Sequence, residues 1–203
     1  MQKSDLEQLL RFAEEDGGIQ NLTLEHAELN GMDLGNVDFE NVVFEHCRLA
    51  ECRAEKAGFY GCTFRNCDLS NANFKDSYWK DCQVTDCKAN GLKITEAHLK
   101  TTQFRDCTMD YANFTEAFLE DVVFAGSRCR YANFSQVRLK KTEFDRTDLS
   151  GAEFFRTMLR GLDLSSCEIA GIVVSDTLTE LKGAKIAAYQ AAQIAEMLGM
   201  KVV

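Results

Sequence analysis

Ala112-Asn113-Phe114-Thr115-Glu116 is followed, twenty residues on, by Ala132-Asn133-Phe134-Ser135-Gln136, and Ala72-Asn73-Phe74-Lys75-Asp76 precedes both. Each block reads small, polar, large apolar, polar, polar. Outward from these blocks the spacing holds. From Leu24 to Val174 every position ending in 4 or 9 is apolar, 31 in a row, beginning Leu24, Leu29, Leu34, Phe39, Phe44 and closing Leu159, Leu164, Ile169, Val174. Two residues before each lies a smaller position: Ala27, Val37, Cys47, Cys62, Ala72, Ala112, Ala132, Ala152. A period of five fits neither the 3.6 of a helix nor the 2 of a strand. It marks an all-β solenoid in which each unit makes one side of a coil.

These blocks resemble the pentapeptide-repeat family over about three quarters of the chain. The resemblance implies a right-handed quadrilateral β-helix with four units, hence twenty residues, per coil. Thirty-one units then make about 7–8 coils, and ~4.8 Å between stacked strands gives a rod of roughly 37 Å. Residues twenty apart match in size, as stacking requires. One column reads Leu24, Phe44, Phe64, Val84, Phe104, Phe124, Phe144, Leu164, and another Phe39, Phe59, Trp79, Leu99, Leu119, Leu139, Leu159. The chain has no proline, so no backbone donor is missing from the ladders.

Three segments follow from this register: a capping helix over 1–18, the β-helix over 19–176, and a helical module over 177–203. A stack of coils needs its ends covered. Ser4 with Glu7 forms a capping-box pattern, Leu6, Leu9, Leu10 and Ala13 a helical stripe, and Gly17-Gly18 a stop. Beyond Val174 a second helix is expected over about 187–198, ended by Gly199, with Met200 to Val203 as a short strand. Its face either caps the last coil or also meets a second copy.

Nine cysteines raise the question of a metal or disulfides. Eight (Cys47, Cys52, Cys62, Cys67, Cys82, Cys87, Cys107, Cys167) occupy the small inward position and Cys129 the large one. A buried thiol serves there as a small hydrophobe. Unpaired thiols point to a reducing, cytoplasmic location, in keeping with the lack of a signal peptide or membrane span. No metal site, cofactor, nucleophile–base pair or phosphate loop stands out from the repeat, so no enzymatic activity is expected.

Charge carries the functional content. The chain holds 32 acids against 23 bases, a net −9. The face following Leu24 bears seven acids (Glu25, Glu45, Asp86, Asp106, Glu143, Asp145, Asp163) against Arg65, Arg105 and Arg146. The opposite tendency appears after Phe39, where Arg138, Lys140, Lys141 and Arg160 lie. That face also carries Tyr78, His98, Phe118 and Met158 at spacings of twenty or forty, either a lateral structural stack or a protein contact column, and Phe155 is expected to point outward.

The tail Leu181-Lys182-Gly183-Ala184-Lys185-Ile186, with Tyr189-Gln190-Ala191 and Leu198-Gly199-Met200, is similar to the C-terminal module of the Qnr quinolone-resistance proteins, as are Tyr131-Ala132-Asn133-Phe134-Ser135 and Asp148-Leu149-Ser150-Gly151. The resemblance, which extends to the MfpA type, implies a homodimer joined end to end through Ile186, Tyr189, Gln190, Ala191, Ile194, Met197, Leu198 and Met200. It further implies a DNA mimic that binds DNA gyrase or topoisomerase IV through the acidic face, either modulating the enzyme or protecting it from quinolones. The unbroken register leaves no room for the loops of many Qnr proteins, which is closer to the MfpA type. A dimer at −18 cannot copy some 75 Å of B-DNA, about 45 charges at one per ~1.7 Å; any mimicry is patchy. Neither nucleic acid, small molecule nor membrane is an expected partner. The alternative is a scaffold for an unrelated protein, using the aromatic column or the Arg138/Lys140/Lys141 cluster.

Overall fold

A computed structural model of the chain describes residues 18–202. The helix expected over 1–18 falls outside them, Gly18 excepted. From Ile19 the chain winds as a solenoid with two parallel seven-stranded sheets on adjoining faces. The first holds β1 (Ile19–Gln20), β3 (Asp38–Glu40), β5 (Gly58–Tyr60), β7 (Tyr78–Lys80), β9 (His98–Lys100), β11 (Phe118–Glu120) and β13 (Arg138–Lys140). The second holds β2 (Thr23–Glu25), β4 (Val43–Glu45), β6 (Thr63–Arg65), β8 (Gln83–Thr85), β10 (Gln103–Arg105), β12 (Val123–Ala125) and β14 (Glu143–Asp145). Register is twenty throughout, with Phe39 on Phe59 and Phe104 on Phe124. The other two faces are joined by single bridges such as Glu28 with Arg48 and Asp33 with Arg53.

The inward positions pack as their sizes demand. Of the 31 large positions, all are buried except Leu139 and Val174, which are half-buried. Phenylalanines stack face to face up the axis: Phe44 on Phe64 at 4.5 Å, and Phe114 on Phe134 on Phe154 at 4.8 and 5.2 Å. Each meets its neighbour around the coil edge-on, as Phe124 meets Phe134. Both geometries suit the ring quadrupole.

The turn at each corner has a fixed backbone signature. From Asn21 to Gly161, every residue at a position ending in 1 or 6 has positive φ. That region favours Gly, Asn and Asp, and those residues fill most of the corners: Asn36, Asn66, Asn71, Asp76, Asp81, Gly91, Asp106, Gly126.

Seven strands per sheet give six paired coil-to-coil steps. The winding does continue to Val174, since Asp148 still bridges Glu168 and Glu153 bridges Val173. On the two strand faces, however, Met158–Arg160 and Asp163–Ser165 do not pair with β13 and β14. The column of Leu22, Val42, Cys62, Cys82, Thr102, Val122 and Thr142 ends there at Leu162, which is half-buried.

The C-terminal end is plugged by two buried polar side chains. Glu180 lies in a 3-10 turn, Thr179–Leu181, and accepts the N–H groups of Arg156 and Ser175 at 3.0 and 3.2 Å and the Ser175 hydroxyl at 2.7 Å. Gln190 anchors helix α1 (Ala188–Met197) to the last coil. Met200 to Val202 form no strand; the Met200 N–H turns back to the Ala195 carbonyl at 3.1 Å. No helix of the described residues is long and apolar enough to cross a membrane.

Candidate functional site: a sided acidic surface

On the second sheet the residues before and after each inward position point outward, and a left-handed corner follows. Glu45, Glu143 and Asp145 are strand residues, whereas Asp86 and Asp106 stand on corners with φ of 54° and 52°. Side chains at these corners lean along the axis. The Asp106 carboxylate reaches so far over Gly126 that a Cβ there would lie 2.4 Å from it.

Exposure and pairing divide the seven carboxylates expected on this face. Glu45 is half-buried and paired with Arg65 at 3.3 Å, and Asp145 is half-buried and paired with Arg146 at 3.2 Å. Asp86, Asp106, Glu143 and Asp163 are exposed and make no ion pair with any described residue. Asp163 is held below the usual carboxylate range by the hydroxyl of Ser165 at 2.6 Å and its N–H at 3.0 Å. Glu25 is also exposed and without an ion pair, so the free acids run nearly the full height of one face.

The sequence reading missed how much charge is cancelled between coils. Ten of the eleven ion pairs among the described residues join positions 18 to 21 apart, so they bridge neighbouring coils: Glu28 with Arg48, Asp33 with Arg53, Glu120 with both Lys100 and Lys140. Opposite charges at a spacing of twenty were the available signal. Two of the three members of the Arg138/Lys140/Lys141 cluster are accordingly paired, Lys140 on Glu120 and Lys141 3.6 Å from Asp121; Arg138 has no ion pair among the described residues.

Tyr78, His98 and Phe118 do come together, with ring centroids 5.2 and 4.7 Å apart, and Tyr60 extends the stack. All are half-buried. Met158 is exposed and separated from them by Arg138, while Phe155 is exposed beneath the Arg156 guanidinium at 5.0 Å. Two tyrosines, Tyr111 and Tyr131, stand in solvent with nearly parallel rings 5.3 Å apart.

On the C-terminal module Ile186, Tyr189, Leu198 and Met200 are exposed, as is Ala191. Ile194 and Met197 turn partly inward onto their own core. Gln190, expected on the interface face, is instead wholly buried in its own chain.

All nine cysteines are buried and free. Burial pushes the Cys52 thiol up to about 12 and raises Cys129 well above the usual thiol value. In the stacked rows the hydrogen bond between neighbouring thiols raises Cys47, Cys82 and Cys87 and lowers Cys62, Cys67 and Cys107. Among the described residues no group of three or more His, Cys, Asp or Glu is placed to hold a metal ion.

With this geometry in hand, comparison with known proteins is direct. A model of the pentapeptide repeat region matches residues 57–134, and a model of eight pentapeptide repeats matches 132–168. A model of the SV2A/B/C luminal domain matches 9–89. No curated protein shows a significant match. Among solved structures, QnrB1, a plasmid-mediated fluoroquinolone resistance protein, is 20% identical, covering 92% of this chain and 100% of its own, with a TM-score of 0.46. HetL, involved in heterocyst differentiation regulation in the cyanobacterium Nostoc, is 16% identical over 91% of this chain and 94% of its own, with a TM-score of 0.32. A pentapeptide repeat protein of the Arabidopsis thaliana thylakoid lumen is 19% identical over 59% and 69%, with a TM-score of 0.36. These likenesses concern the winding alone.

Proposed function

This chain belongs to the pentapeptide-repeat proteins, and from that premise we propose that it is a cytoplasmic, non-catalytic homodimer that binds a type II topoisomerase, DNA gyrase or topoisomerase IV, in place of duplex DNA. The single observation that carries the reading is the line of free carboxylates, Asp86, Asp106, Glu143 and Asp163, on one face of a straight rod. Ion pairs between coils neutralise part of the charge on the other faces, and the unpaired acid on this one is what a basic DNA-binding surface would meet. The exposed apolar set Ile186, Tyr189, Leu198 and Met200 supports joining two rods at their C-terminal ends.

The test is a gyrase supercoiling assay across a titration of the protein, with and without a fluoroquinolone. Inhibition, or rescue from the drug, is expected. Replacing Asp86, Asp106, Glu143 and Asp163 by lysine should abolish the effect, whereas reversing Asp33 and Arg53 together should leave it intact. A wild-type protein without effect at large excess sinks the reading.

A further inference from the structure

Ten arginines lie among the described residues, and seven of them have a polar partner for the side chain. Six are ion-paired, as Arg48 is with Glu28 and Arg128 with Asp110, and Arg105 donates to the side-chain oxygen of Gln103 at 3.0 Å. The three that remain, Arg138, Arg156 and Arg160, make no side-chain hydrogen bond or ion pair with any described residue. They are also neighbours. Arg138 stands twenty residues before Met158, in the same outward column, and Arg156 and Arg160 flank Met158 two residues to either side.

All three are exposed, and so are Met158, at 51%, and Phe155, at 42%, whose ring carries the Arg156 guanidinium at 5.0 Å. Lys182 adds to the charge. The N–H groups of Leu159 and Gly161 donate to the carbonyls of Glu180 and Gly183, both at 2.9 Å, so the exposed Lys182 sits on the edge of this same coil. The carboxylates around the patch leave it positive. Glu120 and Asp121 are engaged by Lys100, Lys140 and Lys141, and Glu180 is buried with its oxygens on the Arg156 N–H and on Ser175. Only Glu153 and Asp176 stand exposed beside the four cations on this side of the rod. Glu143, Asp145 and Asp163 lie beyond the corner at Gly161, on the acidic face, and confine an anionic ligand to the outer side of Met158. Guanidinium groups are weakly hydrated and fork onto carboxylates. Met, Phe and Arg are enriched in protein interfaces, and the apolar pair at the centre suits a protein side chain better than a phosphate backbone.

We propose that Arg138, Arg156 and Arg160, set around Met158 and Phe155, form a contact surface for a partner protein whose matching patch is an apolar side chain flanked by carboxylates. The apolar side chain rests on Met158 and Phe155, and the carboxylates take the three guanidinium groups that the rod itself leaves without partners. The surface shares no residue with the free carboxylates Asp86, Asp106, Glu143 and Asp163 and does not depend on the topoisomerase reading.

Two synthetic peptides test it on the full chain, acetyl-Glu-Leu-Asp-Phe-Glu-amide and its uncharged counterpart acetyl-Gln-Leu-Asn-Phe-Gln-amide, with binding followed by NMR. The acidic peptide should move the Met158 methyl and the Nε–H signals of Arg138, Arg156 and Arg160, and should bind at least about tenfold tighter than the uncharged one. Arg138→Gln and Arg156→Gln together should weaken it at least about tenfold, in a protein whose amide spectrum away from the patch is unchanged. Lys93→Gln, which removes an exposed cation with no ion pair elsewhere on the rod, should leave binding as it is. No binding of the acidic peptide at millimolar concentration overturns the proposal, as does equal binding of both peptides. So does an equal loss in the Lys93→Gln protein, or a set of shifted signals centred on cations other than these three arginines.

Discussion

The side-chain amide of Gln190 donates to the carbonyls of Leu164 at 3.0 Å and Cys167 at 2.7 Å, while its oxygen accepts the Ala187 N–H at 2.6 Å. One wholly buried side chain thus meets two carbonyls at the solenoid's end and starts the helix that covers it. Gln190→Ala leaves all three groups without this partner, at a cost of about 2–4 kcal/mol. Urea unfolding should show that loss, and the amides of α1 should lose exchange protection before those of β7 or β9. An unchanged midpoint would mean that the helix is not anchored through this residue.

Glu180 gives a pH dependence of definite sign. Burial alone would raise its carboxyl, but the hydroxyl of Ser175 and the N–H groups of Arg156 and Ser175 outweigh it and hold the group below the usual glutamate range. A depressed folded pKa means that the carboxylate contributes stability above the unfolded value of about 4.3. That contribution disappears as pH falls through the folded value. Glu180→Gln should therefore lower the melting temperature at pH 7, and the gap from the parent protein should narrow below pH 4. A gap independent of pH would assign the loss to shape rather than charge.

Much of this was legible in the sequence, for a reason particular residues make plain. Phe44, Phe64, Phe104 and Phe124 announce a stack because inward slots repeat at twenty and select size alone. The loss of strand pairing above β13 and β14 had no such signal, since Leu162 shares its column with Leu22, beside which the strands do pair. Pairing of surface charge was equally hidden. Counting acids by face makes Glu45 and Asp86 equivalent, whereas Arg65 occupies Glu45 and nothing occupies Asp86. Gln190 reads as a polar residue on an exposed helix until the end of the coil is seen to present it with carbonyls.

The cysteines yield a plain chemical expectation. Thiolate is the reactive form. Burial raises Cys52 and Cys129 while a neighbouring thiol's hydrogen bond lowers Cys62, Cys67 and Cys107, and burial of all nine keeps reagents out in either case. In native buffer a thiol-specific chromogenic reagent should titrate none of the nine, and all nine in guanidinium. Mass spectrometry after mild peroxide should find the intact protein unoxidised at cysteine. Rapid labelling of Cys47 or Cys67 in the native state would mean that the coils open far more often than their packing implies.

Tyr111 and Tyr131 pit a backbone cost against a side-chain gain. Both have positive φ, 60° and 56°, in a corner column otherwise held by Gly31, Glu51, Asn71, Gly91, Gly151 and Gly171. A bulky residue in that region costs about 1 kcal/mol relative to glycine or asparagine. Their stacked rings, 5.3 Å apart and inclined by 12°, return about 0.5–1.5 kcal/mol. Replacing either tyrosine alone by asparagine relieves one corner and loses the stack, so each single variant should be near neutral. The double variant relieves both corners and loses the stack only once, and should be more stable by about 1 kcal/mol on the same estimates. Guanidinium unfolding of the four proteins in the cycle measures this directly. A double variant less stable than either single would show that the rings contribute more than their corners cost, and that the pair belongs to the rod's own stability.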